Sequence, residues 1–400
     1  MANKFLPVVD ENNAPLWIAE LEDGSWVAVE RDPSVTVEFN EINLANFKDT
    51  DGKRGNEKDW RKFYTLDSVS TPKTKAKKVV TARRAGPIKP VSITGLPGQI
   101  DVIRIEGNVG TSPIELPVFA DDAFHSELRP LIVPPGYEYL DHSGIVHLIA
   151  ASWIIGKSPL LNGPAGIGKT SAFKYLSSIM RQPYIRYPLK GTSHPDDLDG
   201  YRDIVHDKSG KVNAVWVYAR FVFGFKEGAL ILLDEYDKCG DEVRQHLRPA
   251  LDQIPGEIFL EGNNRERIVA DPRTRVGAAC NPPWDPRYGN SSLLDPADQR
   301  RVSHIFMNYP PKSIEEKLID MNAPGIGSGE KQIIFAIAKA VRELVPDGFP
   351  VDFGTDVIIN WAKATPLLGL KEGLKLVVLD GLPPENKQAV EALMKIHMPA

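Results

Sequence analysis

Two short stretches hold residue types that can do phosphate chemistry: GPAGIGKT at 163–170 and ILLDEYDK at 231–238. The first fits G-x-x-x-x-G-K-[S/T] in full, between a short apolar strand, PLLN, and a helix-like run, SAFKYLSSIM. In such a loop Gly163, Gly166 and Gly168 let the backbone curl until its N–H groups face an anion at a helix N-terminus. Pro164, Ala165 and Ile167 complete the curl, and Ser171 follows it into the helix. Lys169 is expected to reach the β- and γ-phosphates of a nucleotide, and the Thr170 hydroxyl to bind Mg²⁺. The competing reading is a glycine-rich turn with a surface lysine.

The second stretch poses the complementary problem, because carboxylates at the end of a buried apolar strand are costly unless positive charge meets them. Beside a phosphate site Asp234 can share the Mg²⁺ shell, while Glu235 orients or deprotonates an attacking water. Asp237 can equally be a helix cap, a surface partner for Lys238 or a catalytic group. A third short apolar strand, RVGAAC, ends at Asn281. This amide is either the start of an Asn-Pro turn or a water-positioning group, and order along the chain favours the second. The acidic strand is expected to lie beside the phosphate-loop strand.

These groups need an α/β scaffold. From about residue 131 helices and short apolar strands alternate as a parallel sheet requires, and beyond NYPPK the chain turns helical with apolar spacing near 3.6. The N-terminal hundred-odd residues read as β-rich. LWIAELEDGSWVAVE sets Asp23-Gly24 between two alternating runs, and SVTVEF, IDVIRIEG and SPIELPVF look like further strands. Residues 71–90 carry seven Lys or Arg and no acid, which suits a solvated loop or a phosphate-backbone or acidic-partner contact.

With 400 residues, 42% of them hydrophobic and 25% charged, the chain can bury sizeable cores, and its net charge of −5 gives no global drive toward nucleic acid. Two isolated cysteines, Cys239 and Cys280, support neither a disulfide framework nor a zinc site. No apolar run is long enough for a membrane span and no signal peptide is visible, so a cytoplasmic location is expected.

Taken together, GPAGIGKT, ILLDEYDK, AACNPP and DPADQRRVSHIF resemble an AAA+ ATPase of the MoxR-type branch. DEYD with VIINWA is similar to the ATPase subunit of aerobic cobaltochelatase, CobS-like. The resemblance spans roughly 130–385 and implies an α/β fold, a P-loop AAA+ parallel sheet with a C-terminal helical lid, preceded by a small β-rich N-terminal domain. The expected divisions are 1–125, 126–308 and 309–400. It further implies ATP and Mg²⁺ as cofactors, a hexameric ring, and remodelling of a client protein, with a VWA-domain partner as in metal chelatases. A nucleic-acid motor and a nucleotide-gated scaffold with little turnover are the alternatives. An arginine finger acting across the subunit interface falls on Arg301, with Arg300 second in a place where the family usually has Asp. The insert GYRDIVHDKSGKVNAVWVYARFVFGFKEG resembles the pore-facing hairpin of this branch. Its Trp216, Tyr218, Phe221, Phe223 and Phe225 either pack in the core or grip a substrate. His194 and His206 read as solvent or cap residues. The branch usually brings a lid arginine to the γ-phosphate. Here Asp356 takes that place, and its carboxylate is expected to point elsewhere, as an acid near the N-terminus of its helix.

Overall fold

A computed structural model describes residues 4–9, 15–20, 26–29, 91–107, 111–206, 212–252, 256–283, 285, 288, 294–344 and 353–398. Contacts divide the chain into Met1–Arg84 and Ala85–Ala400. In the first unit β1 (Lys4–Val9), β2 (Pro15–Glu20) and β3 (Trp26–Val29) form an antiparallel meander. The register Glu20↔Trp26 fits the hairpin expected around Asp23-Gly24, although that turn, like SVTVEF and the basic stretch 71–90, lies outside the described residues.

The second unit opens with β4 (Val91–Ser92), β5 (Gln99–Ile105) and β6 (Ile114–Phe119), which pair in the order β4-β6-β5. This small sheet lies after the division at Arg84 and packs with the helices that follow it. Leu116 and Phe119 of β6 are fully buried in the same core as Ile149 of α1 (Ile145–Ile154) and Phe173 of α2 (Lys169–Met180). A strand whose large side chains share a core with two helices belongs with them, because separating them would expose that apolar area to water.

Five parallel strands form the centre in the order β15-β7-β14-β11-β8: β7 (Ser158–Asn162), β8 (Tyr184–Pro188), β11 (Leu230–Asp234), β14 (Arg275–Cys280) and β15 (Val302–Phe306). Every residue of β7, β11 and β14 is buried, as expected of strands covered on both faces. Alternation sorts their side chains. Leu161, Leu230 and Leu232 join the core with α1 and α2, whereas Leu160, Ile231 and Leu233 join the opposite core with α4 (Arg220–Glu227) and α5 (Asp241–Asp252). The acidic strand β11 is therefore not beside the phosphate-loop strand β7. The strand β14 lies between them.

Two hairpins project from this body. After α3 (Pro195–Asp199), β9 (Gly200–His206) pairs with β10 (Val212–Tyr218), their turn lying outside the described residues, and β12 (Glu257–Leu260) pairs with β13 (Glu266–Val269). His194 precedes α3 as its N-cap residue, and its backbone N–H donates to Asp197 at 2.9 Å. Of the aromatics in the insert, Phe221 and Phe225 are core residues, and Trp216, Tyr218 and Phe223 pack half-buried against the same core. The short α6 (Pro296–Arg301) leads into β15.

The C-terminal region is helical: α7 (Lys312–Asn322), α8 (Ser328–Leu344), α9 (Thr355–Val377) and α10 (Pro384–His397) surround Ile334, Ile337, Val341, Ile358, Trp361 and Val390. The backbone of α9 breaks at Gly369 (φ 80°). A buried ion pair ties this bundle together, with Arg342 donating to Glu315 at 2.7 and 3.1 Å and Thr355 Oγ1 donating to Glu315 at 2.7 Å. No helix among the described residues is long and apolar enough to cross a membrane.

Candidate functional site

The loop after β7 turns sharply because Gly166 and Gly168 take φ of 72° and 98°, a region that side chains with a Cβ rarely enter. A Cβ on Gly166 would also collide with the Asp356 carboxylate. The curl ends at Lys169, the first residue of α2, so the loop delivers the helix N-terminus to the strand edge. Lys169 Nζ donates to the carbonyls of Gly163 (2.5 Å) and Pro164 (2.8 Å) and to Asn281 Oδ1 (3.0 Å). The expected phosphate lysine and the expected polar group at the end of β14 are thus in direct contact.

The acidic pair stands one strand further on. Asp234 closes β11, buried, with Oδ1 accepting from Glu235 N at 3.0 Å and Oδ2 accepting from Arg186 Nε at 2.5 Å. Arg186 on β8 carried no motif that would mark it in the sequence. Burial works against its charge, yet the hydrogen bond and attraction of Asp234 outweigh this and raise its pKa. Glu235 sits in the left-handed region (φ 57°) and pairs with Lys238 at 2.6 Å. Asp237 is buried, 2% exposed, and accepts from Asn281 N at 3.4 Å. Beside it Cys280 is buried, and desolvation followed by the charge of Asp237 pushes its thiol up to about 12.

In front of the loop lies a cavity of about 540 Å³, within the range that holds small ligands. Its walls are Gly166–Ser171, the segment 137–142, and the helical region through Leu318, Met321, Asn322, Thr355, Asp356 and Ile359. The segment 137–142 was not legible as a site wall. Asp141 caps α1 through Ile145 N (2.8 Å) and Val146 N (2.9 Å), and Tyr139 packs on Tyr175 with ring centroids 5.9 Å apart. From the opposite side Tyr288 Oη accepts from Ala165 N at 3.0 Å.

Asp356 corrects an expectation. It is near the N-terminus of its helix as anticipated, yet it does not point away: its N–H donates to Gly166 O at 3.2 Å and its side chain lines the cavity. Arg300 and Arg301 do not line this cavity. Arg301 donates to Ala297 O at 2.7 Å and its Nε lies 2.7 Å from Asp252, while Arg300 is exposed at the end of α6.

Among known proteins, residues 158–302 match the AAA domain (dynein-related subfamily). The chain is similar to the denitrification regulatory protein NirQ of Stutzerimonas stutzeri, 24% identical over 49% of this chain and 65% of that protein. NirQ of Pseudomonas aeruginosa is also 24% identical, over 52% of this chain and 76% of that protein. A solved RuvB variant from Thermotoga maritima aligns with a TM-score of 0.37 and 15% identity, over 63% of this chain and 70% of that one. The match thus spans just under two thirds of the Stutzerimonas protein's length. Residues 158–302, with this strand order and a glycine-rich loop at a helix N-terminus, are thus similar to an AAA domain.

Proposed function

We propose that the chain is a ring-forming AAA+ ATPase of the MoxR type that couples ATP hydrolysis to remodelling of a partner protein. One observation carries the catalytic part of this reading: the ends of β7, β14 and β11 line up the loop 163–170, Asn281 and the pair Asp234–Glu235 along one sheet edge. The residues present fit a nucleotide with Mg²⁺. Gly166 and Gly168 form a cradle that larger residues would fill, and Lys169 heads the helix behind it. Among the described residues no cluster of His, Cys, Asp and Glu could hold a metal by itself, which suits a metal shared between Thr170, Asp234 and phosphate oxygens. Bound Mg²⁺ would supply positive charge to the phosphate oxygens during transfer.

The chain's own groups divide the remaining work. Lys169 exchanges its carbonyl partners for phosphate oxygens, and Asn281, which holds Lys169 in this structure, positions the water. Glu235 accepts the proton of that water once Lys238 releases its carboxylate. Arg186 pairs with Asp234 and keeps it aimed along the strand edge. Arg301 completes the site of the neighbouring subunit, with Arg300 as the second candidate, and this fits their distance from the cavity of their own chain. The resemblance to the cobaltochelatase ATPase subunit points to a VWA-domain client, and the exposed strands of the β9–β10 hairpin, with Tyr201, Ile204 and Val212 outward, offer a surface for it.

Sedimentation with and without ATP, combined with turnover assays, tests this reading. ATP is expected to drive assembly, and small amounts of Arg301→Ala protein mixed with wild type are expected to depress turnover more than dilution does. A chain that binds ATP yet stays monomeric and hydrolyses it at full rate overturns the ring.

A further inference from the structure

The charged side chains lining the cavity are an unusual set for a polyanion site. Lys169 faces two carboxylates, Glu138 and Asp356, with His142 as the remaining titratable ring apart from the tyrosines. Lys169 Nζ is already shared among three oxygen acceptors. The lid end of the cavity therefore contributes negative charge where a phosphate chain would lie.

Asp356 is held there by construction. Its N–H is bound to Gly166 O at 3.2 Å, and its Oδ1 accepts from Val357 N at 2.8 Å. Immediately before it, Thr355 is fastened to Glu315, and Phe353 O accepts from Arg342 Nε at 2.8 Å. Arg342 in turn stacks 4.1 Å over the Tyr309 ring. Gly354 packs so close to Ala165 O that a Cβ there would lie at 2.7 Å. The start of α9 is thus held against the phosphate loop by the Asp356 N–Gly166 O bond and the close approach of Gly354, and within the helical region by Thr355 and Glu315. A carboxylate at the second position of a helix also occupies the positive end of its dipole, which would otherwise attract phosphate.

We propose that Asp356 makes this nucleotide site select the metal-complexed triphosphate over the metal-free one. The free triphosphate carries more negative charge than its Mg²⁺ complex and so meets the larger repulsion from Asp356. The inference rests on the reading of the cavity as an ATP site.

The test is equilibrium binding of ATP by the full chain, once with Mg²⁺ and once with EDTA, for wild type, Asp356→Asn and the remote lid variant Glu343→Gln. Asparagine keeps an oxygen acceptor for Val357 N–H, and Asp356→Ser, which also keeps one, serves as a second variant. Both are expected to tighten metal-free ATP by about fivefold while changing the Mg²⁺ complex less than about twofold, given partial solvent screening. Glu343→Gln, exposed and paired with Lys339, is expected to change neither. An unchanged or widened ratio between the two forms of ATP in the Asp356 variants overturns the proposal and leaves the ATP site standing. Wild type that binds neither form overturns the ATP site itself.

Discussion

On the sheet side of the cavity, a phosphate would meet a glycine-rich curl, a helix N-terminus and Lys169, whereas the lid side offers Asp356 beside the apolar Leu318, Met321 and Ile359. The first wall is made by backbone conformation. The geometry of a strand–loop–helix unit fixes it, and little but glycine fits its two left-handed positions. The second wall is made by side chains that a tertiary contact brings into place. The same chain therefore builds attraction into the part that cannot vary and selectivity into a part that a single substitution can alter.

The largest effect that would break this contrast concerns Lys169. Lys169→Ala is expected to weaken nucleotide binding by at least about a hundredfold, about 2.7 kcal/mol, because no other Lys or Arg among the described residues lines the cavity. Calorimetric titration with ATP checks it, and near-normal affinity would mean the backbone alone suffices. Glu235→Gln sharpens the contrast from the other end: binding is expected to stay within about threefold while turnover falls about a hundredfold or more. Equal losses of affinity and turnover would remove Glu235 from the chemistry.

The lid side is expected to respond through stability. Glu315→Ala strands Arg342 in a largely buried position, 17% exposed, and should destabilise the helical region by about 3 kcal/mol. The double change Glu315→Leu with Arg342→Met should cost far less, and denaturant unfolding compares the two. The smallest expected effect is chemical silence. Burial pushes Cys239 and Cys280 up to about 12, so iodoacetamide at pH 8 should leave both unlabelled until the chain unfolds.

The sheet wall was legible because each of its parts is local. GPAGIGKT is one contiguous motif, and the all-buried runs of β7, β11 and β14 stand out as apolar stretches ending in a polar residue. The order of those strands was less so: an apolar run declares its burial but not its neighbour, and β14 proved to lie between β7 and β11. The four helices at the C-terminus were visible in their spacing. The aim of Asp356 was not, since it depends on a contact with Gly166, far away in the sequence and marked by nothing between them. Phe221 and Phe225 show the same limit: four residues apart on α4, they face the core, a fact that aromatic content alone left open.

Glu235 carries a last consequence. Its φ of 57° places a side chain with a Cβ in a conformation that costs roughly 1 kcal/mol or more relative to glycine. Of two variants that both lose the carboxylate, Glu235→Gly should therefore melt above Glu235→Ala, by about 1 kcal/mol in stability, the reverse of the usual order of those two residues. A lineage released from any need for turnover would be free to drift toward glycine at this position and gain durability by it. On the proposed role of Glu235, persistence of an acid on that backbone in a descendant of this chain would be the trace of selection for hydrolysis.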